Sequence, residues 1–283
     1  MELCFVIIFF SVFLQKKNMK YLKWIIFVVV STILGVIYYV CPYYSSAHRL
    51  EGLMIRAHND DTIRIGFIGD SWAVGHKSVK CVIESLVGNT TGKSVVVRTA
   101  GISGLTSKNI YYGIFRDDSM KDVIEWGPDF CFVVAGINDS DRKMGTGYYQ
   151  DNMKLIIELM LEHKITPVIL EIPSYDICFS YKRRNWQIKL QYLISMILTW
   201  SKMDCINEYR TAYKKMIEAQ RWEDKVITIW SDDWNHDGYM DKRNIYDEGL
   251  MHLNERGYLV LDTCIASKII EKLKVEEESE YHL

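Results

Sequence analysis

The polar and apolar positions of this chain resolve into five short apolar runs separated by stretches of helical period. Residues 63–68 (Ile-Arg-Ile-Gly-Phe-Ile), 95–99, 130–135, 167–172 and 226–230 are rich in β-branched and aromatic residues and predict strands. Val79, Val82, Ile83, Leu86 and Val87 recur at i, i+3, i+4, i+7 and i+8, which predicts a helix over 78–87. Met153, Ile156, Ile157, Met160 and Leu161 repeat the stripe within a predicted helix at 151–163. Further helices are predicted at 120–126 and 188–200. Asn254 reads as the N-cap of a last helix that carries Tyr258, Leu261, Ile265 and Ile269 on one face. Near-continuous apolar strands alternating with helices predict a parallel sheet covered on both faces, a three-layer α/β/α sandwich in one domain.

A different pattern precedes these elements. From Trp24 to Ala47 there is no Asp, Glu, Lys or Arg, and 24–41 is almost wholly apolar. Such a helix rises about 27 Å, close to the ~30 Å hydrocarbon core of a bilayer. Lys16, Lys17, Lys20 and Lys23 lie before it, which places the N-terminus in the cytoplasm and the rest of the chain outside. The expectation is an uncleaved signal anchor over 19–47 and an extracytoplasmic domain over 48–283. Cleavage and secretion is the alternative, but no small-x-small site follows the apolar core, and Cys41 is preceded by the bulky Tyr39 and Val40. A shorter apolar run at 3–14 is too short to span unaided. Met19 heads its own basic and apolar leader, so translation is expected to start there, with 1–18 a dubious extension.

Composition narrows the class of partner. The chain is 49% hydrophobic and 25% charged with a net charge of −2, an ordinary globular balance. Near-neutral charge without a basic block argues against nucleic acid. Beyond the anchor, Cys81, Cys131, Cys178, Cys205 and Cys264 are scattered and lack CxxC spacing, so neither a disulfide framework nor a zinc site is implied. Cys131, within a predicted strand, reads as a small core residue. The acidic stretch 276–280 reads as a frayed, solvated tail.

The candidate chemistry begins where the first run stops, at Gly69-Asp70-Ser71. A serine between the carboxyl end of a strand and the start of a helix stands where open α/β sheets place their sites. Free backbone N–H groups there favour a developing oxyanion. The bland alternative is a Gly-Asp-Ser turn that happens to end a strand. Gly101-Ile102-Ser103-Gly104 follows the second run, Gly136-Ile137-Asn138-Asp139 the third, and His252-Leu253-Asn254-Glu255-Arg256-Gly257-Tyr258 lies near the C-terminus.

This succession resembles the SGNH hydrolase superfamily, the GDSL esterases and lipases, over 63 to about 270. The resemblance implies a flavodoxin-like sheet, no cofactor, Ser71 as nucleophile and His252 as its base. It also implies an oxyanion hole built from the backbone N–H groups of Ser71 and Gly104 and the side-chain amide of Asn138. One member departs from the pattern. The usual acid stands three residues before the histidine, and here that position is Gly249. Asp247, Glu248 or a backbone carbonyl could serve instead, and Asp247 is the choice taken here.

The segment from Asp233 to Asp241 places Asp233, Asn235, Asp237 and Asp241 at positions 1, 3, 5 and 9 of a calcium-loop pattern, with Gly238 at 6. Position 12 is Asn244 instead of Glu, and a strand precedes, so a hydrogen-bonded acidic loop is the expected reading and no metal is assigned. The functional expectation is a serine esterase acting through an acyl-enzyme on an O-acyl group, such as O-acetyl, of an envelope or extracellular carbohydrate. Transfer of the acyl group to a glycan hydroxyl is one alternative. A non-catalytic carbohydrate-binding or assembly protein, suggested by the missing acid at 249, is the other.

Overall fold

The computed structural model describes residues 19–235 and 245–280. The chain divides into two units between Ser45 and Ser46. In the first, Met19–Tyr44 is a single helix of 26 residues. Its side chains at 19, 20, 33, 36, 37 and 39–41 lie outside the description. Among the described residues no helix is long and apolar enough to cross a membrane. The spanning role expected of 24–41 therefore stays a sequence-based reading. The second unit begins slightly earlier than the expected 48: Ser46 Oγ donates to Asp151 at 2.8 Å and the Ala47 N–H to Asn152 Oδ1 at 2.8 Å.

The second unit is built on a five-stranded sheet. Its strands are β1 (Ile63–Gly69), β2 (Val95–Gly101), β3 (Phe130–Val134), β4 (Thr166–Leu170) and β5 (Ile227–Ile229), in the order β2-β1-β3-β4-β5. Every pairing is parallel, with Ile63 opposite Val95 and Ile65 opposite Phe130. All five predicted strands are present, with ends shifted by two residues at most. The central strands β1 and β3 are buried at every position, while the edge strand β2 alternates, as its one covered neighbour dictates.

Successive side chains on β1 point to opposite layers. Phe67 lies under the ring of His76 in the helix Ser71–Lys77, on the side that also holds Ile83–Thr91 and Glu255–Glu280. Gly66 faces Val123 of Asp118–Glu125, on the side of Ser107–Arg116, Thr146–Glu162 and Ile206–Gln220. Cys131 is buried in the core as expected, and the five cysteines of this unit are free.

Two expectations are corrected. The helix predicted over 78–87 starts only at Ile83 and runs to Thr91, while a separate short helix, Ser71–Lys77, precedes the non-helical 78–82. In the break the Val82 N–H turns to the buried Asp262 carboxylate at 3.1 Å, a partner the local pattern cannot reveal. The acidic stretch 276–280 is the last turn of the helix Glu255–Glu280, supported by a Lys272–Glu276 pair at 3.5 Å. Helices at Ser107–Arg116, Ile177–Arg183 and Ile206–Gln220 were not foreseen from the sequence.

Phe67 shows what joins the layers. It is fully buried, with ring centroids 4.1 Å from His76 and 4.6 Å from Phe132. Phe67→Ala should cost about 3–5 kcal/mol, read as a lower denaturant midpoint at unchanged slope. A loss below about 1 kcal/mol would mean that the layers collapse into the vacated space.

Candidate active site

β1 and β3 lie side by side, with Gly69 opposite Val134, yet the chain leaves them in opposite directions along the sheet. β1 leads to β2 at one edge and β3 leads toward β4 and β5 at the other. The crevice at their carboxyl ends is therefore the topological switch point, where open α/β sheets bind ligands. Ser71 starts the helix after β1, and Asn138 lies in the short helix Ile137–Asp141 after β3.

Asp70 fixes these two segments to each other. Its carboxyl is fully buried, with Oδ1 accepting from the Trp72 N–H at 3.0 Å and Oδ2 from the Asn138 amide at 2.9 Å. The first bond caps the helix that begins at Ser71. The second aims the Asn138 side chain toward the serine turn and leaves its other N–H for a ligand. Burial pushes the Asp70 carboxyl up to about 7, helped by the charge of Asp139 and opposed by these hydrogen bonds.

The same short helix holds the loop of Gly104. Asp139 is buried and accepts from the Ser107 N–H at 2.8 Å and the Ser107 hydroxyl at 2.5 Å, and burial raises it to about 6. Arg142 donates to the Gly104 carbonyl at 2.7 Å. Gly104 itself has φ +79°, a left-handed conformation suited to glycine. Gly136 enters the helix at φ +103°, and a Cβ there would lie 2.6 Å from the Tyr149 ring. The turn after β3 thus needs glycine for both conformation and space.

His252 reaches the site from a closed loop. Tyr246 and Leu253 form an antiparallel bridge, the Asp247 N–H donates to the His252 carbonyl at 2.9 Å, and Leu250 turns the chain at φ +54°. The outcome is a His252 Nε2–Ser71 Oγ distance of 2.9 Å. On the other side of the ring, Nδ1 stands 3.7 Å from Asp247 Oδ2, with the two side chains 39% and 42% exposed. Glu248 is exposed. Gly249 shows why the spacing differs from the expected three residues. A Cβ built at 249 would lie only 3.1 Å from Asp247 Oδ1, so the Asp247 carboxylate fills the space that a side chain at 249 would enter. The carboxylate nearest the imidazole thus comes from two residues upstream of 249, through the turn.

Three contacts hold this loop and the last helix against the serine helix. Trp72 Nε1 donates to the Met251 carbonyl at 3.0 Å, and the Tyr258 hydroxyl donates to the Trp72 carbonyl at 3.1 Å. His76 Nε2 and Asp262 Oδ1 pair at 2.7 Å in the core. Asn254 caps the last helix as predicted, accepting from the Gly257 N–H at 2.9 Å. The structure therefore brings Ser71, His252, Asp247 and Asn138 to one crevice, with Gly104 on the adjoining loop. Asp70, Asp139 and Arg142 support them without having been singled out. Both aspartates sit inside the quoted motifs, and that adjacency is the signal that could have found them.

Residues 67–260 match the GDSL-like lipase/acylhydrolase family. The chain belongs to this family. It is an ester-hydrolysing enzyme of the SGNH type, as the resemblance in the motifs implied. Among solved structures, the lipase/acylhydrolase from Enterococcus faecalis is 18% identical with a TM-score of 0.51, covering 74% of this chain and 96% of that one. The acetyl xylan esterase AlAXEase is 18% identical with a TM-score of 0.52, covering 74% and 100%. At these identities the likeness is one of fold. No curated protein matches the chain.

The acidic loop is described only in part, because Asp237, Asp241 and Asn244 lie outside the described residues. Asp233 Oδ2 accepts from the Trp230 N–H at 3.0 Å, and Asn235 donates to the Tyr246 hydroxyl at 2.7 Å. Among the described residues, His76, Cys81 and Asp262 form a cluster with metal-ligand atoms close together. The carboxylate there is already committed to the His76 ring and the Val82 N–H, which makes it a joint between helices.

Two buried carboxyls of this esterase, Asp70 and Asp139, give stability a pH signature. Both are raised in the fold, so their contribution is complete below about pH 4, the unfolded carboxylate range, and is lost as pH rises. The loss runs through about 6 for Asp139 and about 7 for Asp70. The denaturant midpoint should fall across that window, and Asp70→Asn should flatten its upper part. The same substitution sets an amide donor against the Asn138 amide, so ester hydrolysis should fall by about 10²-fold. Unchanged hydrolysis would show that Asn138 needs no orienting partner.

Proposed function

We propose that this enzyme hydrolyses its ester through an acyl-enzyme on Ser71, with His252 as base, Asp247 as acid partner and an oxyanion hole formed by Ser71, Gly104 and Asn138. The observation that carries this reading is the 2.9 Å approach of His252 Nε2 to Ser71 Oγ. A serine hydroxyl is a weak nucleophile until a base takes its proton. In the first step Ser71 Oγ bonds to the ester carbonyl carbon while its proton passes to His252 Nε2. The carbonyl oxygen becomes an oxyanion, met by the Ser71 and Gly104 N–H groups and the Asn138 amide. Collapse expels the alcohol, which takes the proton from His252. Water then repeats the sequence and releases the acid. Asp247 keeps the proton on Nδ1 and stabilises the imidazolium as it forms.

The preferred substrate is an O-acyl group on an envelope or extracellular carbohydrate. Support comes from the openness of the site, since the half-exposed His252 leaves room for a bulky alcohol. Acyl transfer to a sugar hydroxyl would use the same residues, with that hydroxyl in place of water. Against the non-catalytic alternative, the Asp247 carboxylate approaches the space that a side chain at 249 would enter and stands 3.7 Å from His252 Nδ1.

A fluorophosphonate probe should label the wild type and fail on Ser71→Ala, which should lose about 10⁴-fold or more in hydrolysis. Asp247→Asn should cost more than Glu248→Gln, and Glu248→Gln should stay near wild type. Because position 249 points at the same space, Asp247→Ala combined with Gly249→Asp should recover part of what Asp247→Ala alone loses. Equal, near-wild-type rates for both acid variants would favour a Ser–His dyad and remove Asp247 from the mechanism.

The N-terminal helix is proposed as an anchor that leaves the esterase domain outside the cytoplasm. Its support is the uncharged stretch after Lys23 and the lysines before it. The full chain should remain with membranes after a carbonate wash. Recovery of soluble protein starting beyond Cys41 would point to a cleaved signal peptide instead.

A further inference from the structure

The crossover from β4 to β5 carries a helix whose burial is inverted. Trp186–Thr199 turns Tyr192 and Ser195 inward and presents its large apolar side chains to solvent. Trp186 is 71% exposed, Ile197 65% and Trp200, just past the helix end, 94%, with Leu190, Leu193 and Leu198 exposed between them. Positions 186, 190, 193 and 197 fall at i, i+4, i+7 and i+11, one continuous stripe. Isolated exposed apolar residues need no explanation, but a contiguous stripe of this kind marks a surface that meets something apolar.

Charge identifies what it meets. Residues 177–203 hold Lys182, Arg183, Arg184, Lys189 and Lys202 and no Asp or Glu, in a chain whose net charge is −2. Arg184 pairs with Asp141 and Lys202 with Glu208, which leaves Lys182, Arg183 and Lys189 as the basic flank. Pairing with a second copy through this stripe would bring like basic flanks together, a repulsive arrangement in an isologous interface. A bilayer surface containing anionic phospholipid suits all three features. Its acyl boundary accepts the leucine and isoleucine side chains, its headgroup layer suits tryptophan at either end, and its negative potential attracts the lysines and arginines.

We propose that Trp186–Thr199 and its basic flank form a membrane-surface docking face of the esterase domain, one that recognises anionic phospholipid. The face adjoins the catalytic edge of the sheet. Arg184 Nη2 meets Asp141 Oδ2 at 3.3 Å, and Lys143 Nζ lies 5.8 Å from the Tyr192 ring. Both partners follow Asn138 within a few residues. These contacts fasten the inward side of the helix to the segment that follows Asn138. The inference stands on the exposed stripe and its charge, and it holds whether or not the N-terminal helix spans the bilayer.

Hydrophobic photolabelling of the full chain on vesicles tests it, with tryptic peptides read by mass spectrometry. A diazirine-bearing phosphatidylcholine is placed in vesicles with or without phosphatidylglycerol. Trypsin separates residues 190–202, released at Lys189 and Lys202, from 24–49, released at Lys23 and Arg49. Labelling of 190–202 should appear in the vesicles containing phosphatidylglycerol. K182Q/R183Q should reduce it about 25-fold, roughly fivefold for each basic side chain. Leu193→Ser combined with Ile197→Ser should abolish it, with hydrolysis of a soluble p-nitrophenyl ester retained as the sign of an intact fold. If 24–49 is unlabelled while 190–202 is labelled, the docking face stands and the anchor fails. The docking face is overturned if 190–202 stays unlabelled on anionic vesicles. It is likewise overturned if labelling ignores both phosphatidylglycerol and K182Q/R183Q.

Discussion

A carboxyl group removed from water must find donors for both of its oxygens, and in this protein the Asp70 carboxyl finds them on two different strand ends. One donor is the Trp72 N–H, on the turn that holds Ser71. The other is the amide of Asn138, on the turn after β3. The parallel register sets the spacing, because Gly69 and Val134 face each other across the strand pair. The nucleophile turn and the amide donor are thereby positioned by one buried group and not by two independent loops. Asp139 repeats the device one step further out, holding Ser107 and with it the start of the helix that follows Gly104.

The base arrives from the far end of the chain and needs different fastenings. His252 is 181 positions from Ser71, so its placement depends on the last helix docking correctly. Trp72 serves both sides of that joint, since its indole N–H holds the Met251 carbonyl while its own carbonyl receives the Tyr258 hydroxyl. A shift of the last helix would therefore disturb the histidine loop and the serine helix together. The His76–Asp262 pair extends the joint into the core, where the other Asp262 oxygen accepts from the Val82 N–H.

How much of this was legible depended on where the deciding interaction lay. The strands were legible because β-branched and aromatic runs ending at glycine report buried parallel strands locally. The serine, the histidine, the amide and Gly104 were legible because each ends a strand or begins a helix in a recognisable order. The break at 78–82 was not, because a carboxylate 180 positions away takes the Val82 N–H. Ile206–Gln220 was passed over because its buried stripe of Tyr209, Tyr213 and Met216 lies among many polar residues. Asp247 was within reach as a carboxylate close to the histidine. Its manner of reaching the ring depended on a left-handed Leu250, which no local pattern announces.

The supports of the site also explain why its polar groups tolerate burial. Burial raises Asp70 to about 7 and Asp139 to about 6, against hydrogen bonds that favour their charged forms. An apolar pair of similar shape would avoid that penalty, yet it could neither cap the serine helix nor orient the Asn138 amide. In the proposed mechanism the Asn138 amide is held by Asp70 before any ester binds, which would spare reorganisation as charge develops in the transition state. The His252–Asp247 edge completes the contrast: Asp70 and its partners are buried, while the His252 and Asp247 side chains stay partly exposed.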